Sequence, residues 1–221
     1  VLFIGITGLL GKYFLMQKPK KYDVVGIYNN NKPRYKNTNF KVNISDKKKI
    51  TSVIKTIKPN VVVHAASIGN VDYCESHKEE AYEVNVEGTR NVLKACGEVG
   101  TKIIFISSNA VYDGEYPPYN EKSRLDPLDV YGKTKVRGEE IVMNGKSPYV
   151  ILRLMTMYGW PPLGARSNPV SWIIGELRQN KKIKIVDDIY NNHLFAGHAA
   201  EIIWEVIKQN KKREIYNVAG L

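Results

Sequence analysis

Short, almost wholly apolar runs recur along this chain, with helix-like stretches between them. Val1-Leu2-Phe3-Ile4 opens the series, and residues 24–28, 40–42, 61–64, 102–106 and 149–154 continue it. A strand with one wet face alternates apolar and polar residues. These runs do not, so the sheet they form is covered on both sides. Residues 11–17, 47–58, 79–99 and 130–142 have helical periodicity, with Ile50, Val53, Ile54 and Ile57 sharing one face. Such alternation predicts an α/β fold with a doubly wound parallel sheet. Beyond Tyr158 the pattern loosens: 159–168 reads as a loop, 170–178 as helix, 183–186 as strand and 199–209 as helix. The expected division is a main domain over 1–158 and a partial lobe over 159–221, with elements returning to the sheet. The chain opens at Val1 inside an apolar run and closes in a strand-like Ile215-Tyr216-Asn217-Val218. Both natural ends are therefore expected to lie outside it.

Charge and cysteine content narrow the function. Lys and Arg number 33 against 22 Asp and Glu, a net charge of +11. The lysines are scattered beside helix ends and loops, not massed with interleaved aromatics. They read as a solvated surface attractive to phosphates rather than a nucleic-acid face. No apolar run reaches the length of a membrane span. Cys74 and Cys96 read as free thiols in a reducing, cytoplasmic setting, and no metal site is expected.

The first apolar run leads into Gly5-Ile6-Thr7-Gly8-Leu9-Leu10-Gly11. Gly5 suits the tight turn off a strand, Gly8 lets backbone approach a pyrophosphate, and Gly11 lets the following helix sit close to the sheet. The helix N-terminus then offers free N–H groups and partial positive charge to phosphate oxygens. Dinucleotide folds often place a carboxylate after the second strand to hold a ribose hydroxyl. Here Asn29, Asn30, Asn31 and Lys32 follow it, then Arg34. A basic, amide-rich loop accepts a 2′-phosphate, so NADP(H) is favoured, with NAD(H) also accommodated.

Tyr131 and Lys135 lie four residues apart at the start of a helix and share one face. An ammonium beside a phenol would favour the phenolate and lower the Tyr131 pKa. Such a pair suits proton transfer to an oxygen formed when hydride reaches a ketone. Ser107 and Ser108 end the fifth strand, where ligands of open parallel sheets bind, and Ser108 could polarise the carbonyl.

Five segments in order resemble the extended short-chain dehydrogenase/reductase family: 5–11, His64-Ala65-Ala66-Ser67, Asn85-Val86-Glu87-Gly88-Thr89, Ser107–Gly114 and Tyr131-Gly132-Lys133-Thr134-Lys135. The resemblance implies a Rossmann-type fold, a nicotinamide dinucleotide and a nucleotide-sugar substrate, with a homodimer as an allowed assembly. It implies Tyr131 as acid-base, Lys135 as its ribose-binding partner, Ser108 on the reacting oxygen, and Asn85 supporting a water in the proton path. Cofactor contacts would come from Gly5, Thr7, Gly8, Leu9, Leu10, Gly11, Asn29, Asn30, Arg34, Asn43, Ile44, His64, Ala65, Ala66, Ser67, Tyr131 and Lys135. Asn43 stands where the family usually has Asp. Substrate contacts would come from Ser108, Asn109, Ala110, Val111 and Asn168.

Within the family, Val71–Glu75, Tyr112-Asp113-Gly114, Pro117-Pro118-Tyr119 and Lys184–Asp188 are most similar to dTDP-4-dehydrorhamnose reductases. Dehydratases place Asp-Glu where this chain has Asn109-Ala110, which argues against dehydration. The chain also resembles the regulatory beta subunit of methionine adenosyltransferase, which implies NADP binding without turnover. The expected activity is reduction of a 4-keto-6-deoxy nucleotide sugar, with an NAD-dependent epimerase or a non-catalytic NADP-binding subunit as alternatives.

Overall fold

The structure, a computed structural model, describes residues 1–33 and 39–220. Its core is one parallel sheet. In chain order the strands are β1 (Leu2–Ile4), β2 (Val25–Tyr28), β3 (Asn39–Lys41), β4 (Val61–His64), β5 (Lys102–Ser108), β6 (Tyr149–Leu154) and, after an excursion, β9 (Glu214–Val218). In space they run β3-β2-β1-β4-β5-β6-β9, every neighbouring pair parallel. The chain travels outward from β1 to β3 and then returns to β4 on the opposite side of β1. This reversal opens a crevice at the carboxyl ends of β1 and β4. The architecture is thus the expected Rossmann-type α/β fold.

Residues alternate between the two faces of each strand, and both sets are apolar. Phe3, Ile104 and Leu152 pack with Phe14 of α1 (Leu9–Met16) and with Ile203 and Trp204 of α8 (Ala196–Lys208). Leu2, Ile4, Ile103, Phe105 and Ile151 face the other way. They meet Ile50 and Ile54 of α2 (Lys47–Ile57), Val92 and Cys96 of α5 (Gly88–Val99), and Val142 of α6 (Val130–Met143). Phe14 and Trp204 stack with ring centroids 4.1 Å apart, which pins α1 to α8.

Three local expectations change. Residues 79–99 are not one regular helix. α4 (Lys78–Tyr82) passes into a π-helical turn, Glu83–Glu87, before α5 begins. The wider turn re-aims one side chain inward, and Asn85 is buried there. A short helix unread from the sequence, α3 (Val71–Ser76), precedes α4 and is capped by Asn70. Residues 183–186 form no strand, and Ile185 and Val186 are exposed. Strand propensity needs a partner edge, and among the described residues none pairs with them. A two-stranded pairing, β7 (Met157–Tyr158) with β8 (Leu194–Phe195), lies elsewhere, with α7 (Pro169–Arg178) between the two in sequence. α8 and β9 return to the main sheet layers. Among the described residues no helix is long and apolar enough to cross a membrane.

Gly11 shows how closely α1 seats on the sheet. A Cβ there would fall 2.2 Å from the Ile6 carbonyl oxygen, whereas one at Gly175 in α7 would meet nothing within 4 Å. Gly11→Ala is expected to destabilise the protein by about 3 kcal/mol through overpacking against backbone. Gly175→Ala should instead stabilise by up to about 1 kcal/mol through helix propensity. Urea denaturation midpoints check both; equal shifts for the two would contradict this account.

Candidate active site

A cavity of about 410 Å³ opens at the carboxyl ends of β1, β4, β5 and β6. Gly5, Gly8, Leu9 and Leu10 form one wall, Ala65 and Ser67 the floor beyond β4, and Ser107 to Ala110 the end of β5. Tyr131 and Lys135 enter from α6, and Met155, Thr156 and Met157 close the side beyond β6. A larger groove of about 880 Å³ lies on the outer surface between α5 and α6, and holds none of the residues read from the sequence as catalytic.

The glycine wall is built to receive an anion. Gly8 is the extended N-cap of α1 and makes no side-chain capping bond. The first-turn N–H groups of α1 therefore have no side-chain cap, at the helix end that carries partial positive charge. Gly8 is also exposed. The donors and the empty space match a pyrophosphate, and the cavity then continues toward Ser108 and Tyr131. These residues thus fit a dinucleotide.

α6 is held by its N-terminus. Asp129 accepts from Gly132 N at 2.7 Å, and Glu75 of α3 accepts from Val130 N at 2.7 Å. Gly132 allows the close seating, since a Cβ there would fall 2.2 Å from the Ala110 carbonyl oxygen. Ser108 in turn caps the 3₁₀ turn Asn109–Val111 by accepting from Ala110 N at 3.2 Å. The helix thus delivers Tyr131 and Lys135 to the end of β5.

Lys135 is 4% exposed. Its ammonium donates to the Ile106 carbonyl at 2.5 Å and lies 4.3 Å from the Phe105 ring centroid. Burial pushes its pKa down to about 8, against an opposing pull from the Glu139 carboxylate. Tyr131 departs from expectation. Burial raises its phenol above the ordinary value, and hydrogen bonding to Ser108 offsets this only in part. Cys74 and Asp129 push it further up. Desolvation outweighs the Ser108 hydrogen bond, so the Tyr131 pKa is not lowered here. The phenol keeps its proton at neutral pH, the state that a proton donor requires.

Asn85 is fully engaged. Its side chain accepts from Ile68 N at 2.7 Å and donates to Ile68 O and the Thr134 hydroxyl, both at 3.0 Å. It ties α6 to the segment after β4, while its own carbonyl accepts from Thr89 Oγ at 2.6 Å. The side chain is a clamp rather than a part of the cavity wall. His64 also lies beneath the cavity, with Nε2 3.0 Å from Thr89 Oγ and its ring beside Phe105. Burial, reinforced by Lys135, pushes its pKa down to about 3, so the ring is neutral.

The remaining sequence assignments divide by place. Gly5, Gly8, Leu9, Leu10, Ala65, Ser67, Ser108, Asn109 and Ala110 line the cavity with Tyr131 and Lys135. Thr7 belongs to the same turn, and Gly11 is buried behind it. Ala66 and Ile44 pack into the core, and Val111 is buried, so their side chains support the site without lining it. Asn29 and Asn30 are exposed just beyond β2, while Arg34 lies outside the described residues. The Asn43 amide accepts from Ser45 N at 3.0 Å, a local turn that opens toward α2. Asn168 caps α7 and donates to the Gly159 carbonyl at 2.6 Å, away from the cavity wall. Met155, Thr156 and Met157 also line the cavity and carry no motif of their own. The rule that singled out Ser108, that sites lie beyond strand ends, applies equally to residues following 149–154.

Folded Lys135 titrates near 8, against an ordinary value of 10.5. Between these values the unfolded chain binds more protons, so stability rises with pH across that window; below it the burial penalty is fully present. Lys135→Met should therefore stabilise the ligand-free protein at pH 7 by up to about 3 kcal/mol, with a gain that disappears by roughly pH 10.5. Urea titrations of both proteins at pH 7 and pH 10 check this; a variant less stable than the parent at pH 7 would refute it.

A family model described as the RmlD substrate binding domain matches residues 1–220. Methionine adenosyltransferase 2 subunit beta from Bos taurus is 34% identical over 161 residues, 72% of this chain and 47% of that protein. The chain thus spans about half the length of the curated relatives it matches first. The solved structure of dTDP-4-dehydrorhamnose reductase from Bacillus anthracis in complex with NADP is 26% identical with TM-score 0.87, covering 100% of this chain and 74% of that one. A hypothetical dTDP-4-dehydrorhamnose reductase from Sulfolobus tokodaii is 25% identical with TM-score 0.88, covering 100% and 76%.

Proposed function

The chain belongs to the RmlD substrate binding domain family, and on that premise we propose that it is an NAD(P)H-dependent reductase of a 4-keto-6-deoxy nucleotide sugar. One observation carries the reading: an uncapped glycine turn shares a cavity with Ser108, Tyr131 and Lys135. The likeness to a reductase solved with NADP supports it.

The residues that would hold the dinucleotide are Gly5, Gly8, Leu9 and Leu10 at its phosphates, and Ala65 and Ser67 along its length. When bound, the nicotinamide supplies hydride to the substrate's carbonyl carbon. The chain's own work is on the oxygen. Ser108 donates a hydrogen bond that orients the carbonyl, and Tyr131 gives up its phenolic proton to the oxygen as charge develops there. Burial of Tyr131 keeps that proton in place until the oxygen becomes basic. The Lys135 ammonium, anchored on Ile106, stabilises the phenolate left behind. NADPH is preferred because Asn29 and Asn30 follow β2 where a carboxylate would repel a 2′-phosphate.

A second reading has its own support. The chain is more identical to methionine adenosyltransferase 2 subunit beta than to either reductase. In that reading the cavity binds NADP without turnover and the protein acts through a partner. NADPH absorbance, followed against a panel of nucleotide 4-keto sugars, separates the two. The reductase reading expects oxidation of NADPH, and a fall in rate of about 10²- to 10⁴-fold in Tyr131→Phe with NADPH affinity nearly unchanged. Tight NADPH binding with no oxidation across the panel would select the second reading, and equal rates for Tyr131→Phe would eliminate the proposed proton donor.

A further inference from the structure

One buried charge pair beneath the cavity has no part in the mechanism above. Glu139 follows Tyr131 and Lys135 at the same four-residue spacing, so the three share one stripe of α6. Glu139 is fully buried, and Arg153 on β6 is 3% exposed. Arg153 Nη2 donates to Glu139 Oε2 at 2.7 Å, and Nε donates to both oxygens at 3.0 and 3.2 Å. Ser107 donates its hydroxyl to Glu139 Oε1 at 2.5 Å.

The pair extends to the 112–121 segment and to β9. Arg153 Nη1 donates to the Tyr112 hydroxyl at 2.8 Å and to the Glu121 carbonyl at 3.1 Å. Tyr112 donates to Asn217 Oδ1 at 2.9 Å and stacks on Tyr119. Ser107, Arg153 and Asn217 are register partners across β5, β6 and β9. Glu139 therefore joins α6 to three adjacent strands and to the 112–121 segment. A buried ion pair is a poor source of net stability, since an apolar pair of similar volume often serves as well. Its place under the reacting residues points to another use.

We propose that Glu139 is a positioning residue: with Arg153 it locks the end of β5 and the Tyr112 segment against α6, and it sets its carboxylate one turn from Lys135 on the stripe that carries Tyr131. The inference rests on the reductase reading for its consequence in turnover, though not for its electrostatics. Among the described residues, the charged and titratable groups coupled to Lys135 are Glu139 on α6 and His64 on β4, with Arg153 behind Glu139 and Tyr131 one turn away on α6. His64 is neutral and Tyr131 protonated, which leaves Glu139 as the sole anion of that set. Its carboxylate opposes the burial that pushes Lys135 down to about 8.

Glu139→Gln alone would orphan Arg153 in the core, so the informative variant is Glu139→Gln with Arg153→Met, which removes both charges. Glu139→Asp serves as the charge-keeping control. Selective ¹³C labelling of lysine, with Lys135→Arg for assignment, reads the Lys135 titration by NMR in the ligand-free protein. In the double variant Lys135 should titrate about one pH unit or more lower than in the parent, while Glu139→Asp stays close to the parent. On a turned-over keto sugar, the alkaline limb of kcat should move to lower pH by the same amount, with KM for NADPH little changed. An unchanged Lys135 titration in the double variant, or an equal shift in Glu139→Asp, would overturn the proposal. Should the double variant not fold, Glu139→Asp decides: loss of the Ser107 contact with kcat unaffected would refute the positioning role. If no keto sugar is reduced, the reductase reading fails while the NMR titration still decides the role of Glu139.

Discussion

A buried ammonium bonded to a strand-end carbonyl organises this molecule. Lys135 sits 2.5 Å from the Ile106 oxygen, over the Phe105 ring and out of water. Nothing in an ordinary amphipathic helix would place a lysine there. It requires α6 to approach β5 until the Gly132 backbone meets Ala110, and Glu139 one turn further on partly opposes the effect of burial. The stripe of α6 that faces the sheet is consequently polar: Tyr131, Lys135 and Glu139 sit where a core helix usually carries Leu or Val.

The sheet supplies what this stripe needs. Because β1 and β4 are neighbours while the chain leaves β1 in the opposite direction, the carboxyl ends of both strands stay uncovered. The glycine turn and the segment after β4 border that opening, and β5 and β6 extend it toward Ser108 and Met155. The cavity is thus built largely on strand ends. Asn85, released inward by the π-helical turn, then braces α6 from behind.

Much of this was legible in the residues. The continuous apolar runs required a sheet covered on both faces, and the Gly5–Gly11 turn located its ligand edge. Tyr131 and Lys135 could be paired by spacing alone. The exceptions have physical causes. The run 183–186 has strand composition but pairs with no edge among the described residues. The stretch 79–99 has helical periodicity, which carries no mark of a π-turn. The Tyr131 phenol was expected below its usual value because a lysine was near, but proximity in sequence says nothing of desolvation.

The residues alone settled the parallel α/β layering, the glycine turn before α1 and the shared face of Tyr131, Lys135 and Glu139 on α6, because these follow from periodicity and local backbone freedom. The environment of that stripe came from the packed fold instead. It set which charges face Lys135, how far burial raises Tyr131, and that His64, Ile44 and Asn85 support the cavity without lining it. Desolvation and long-range pairing depend on every neighbour in space, and no local pattern of residues encodes them.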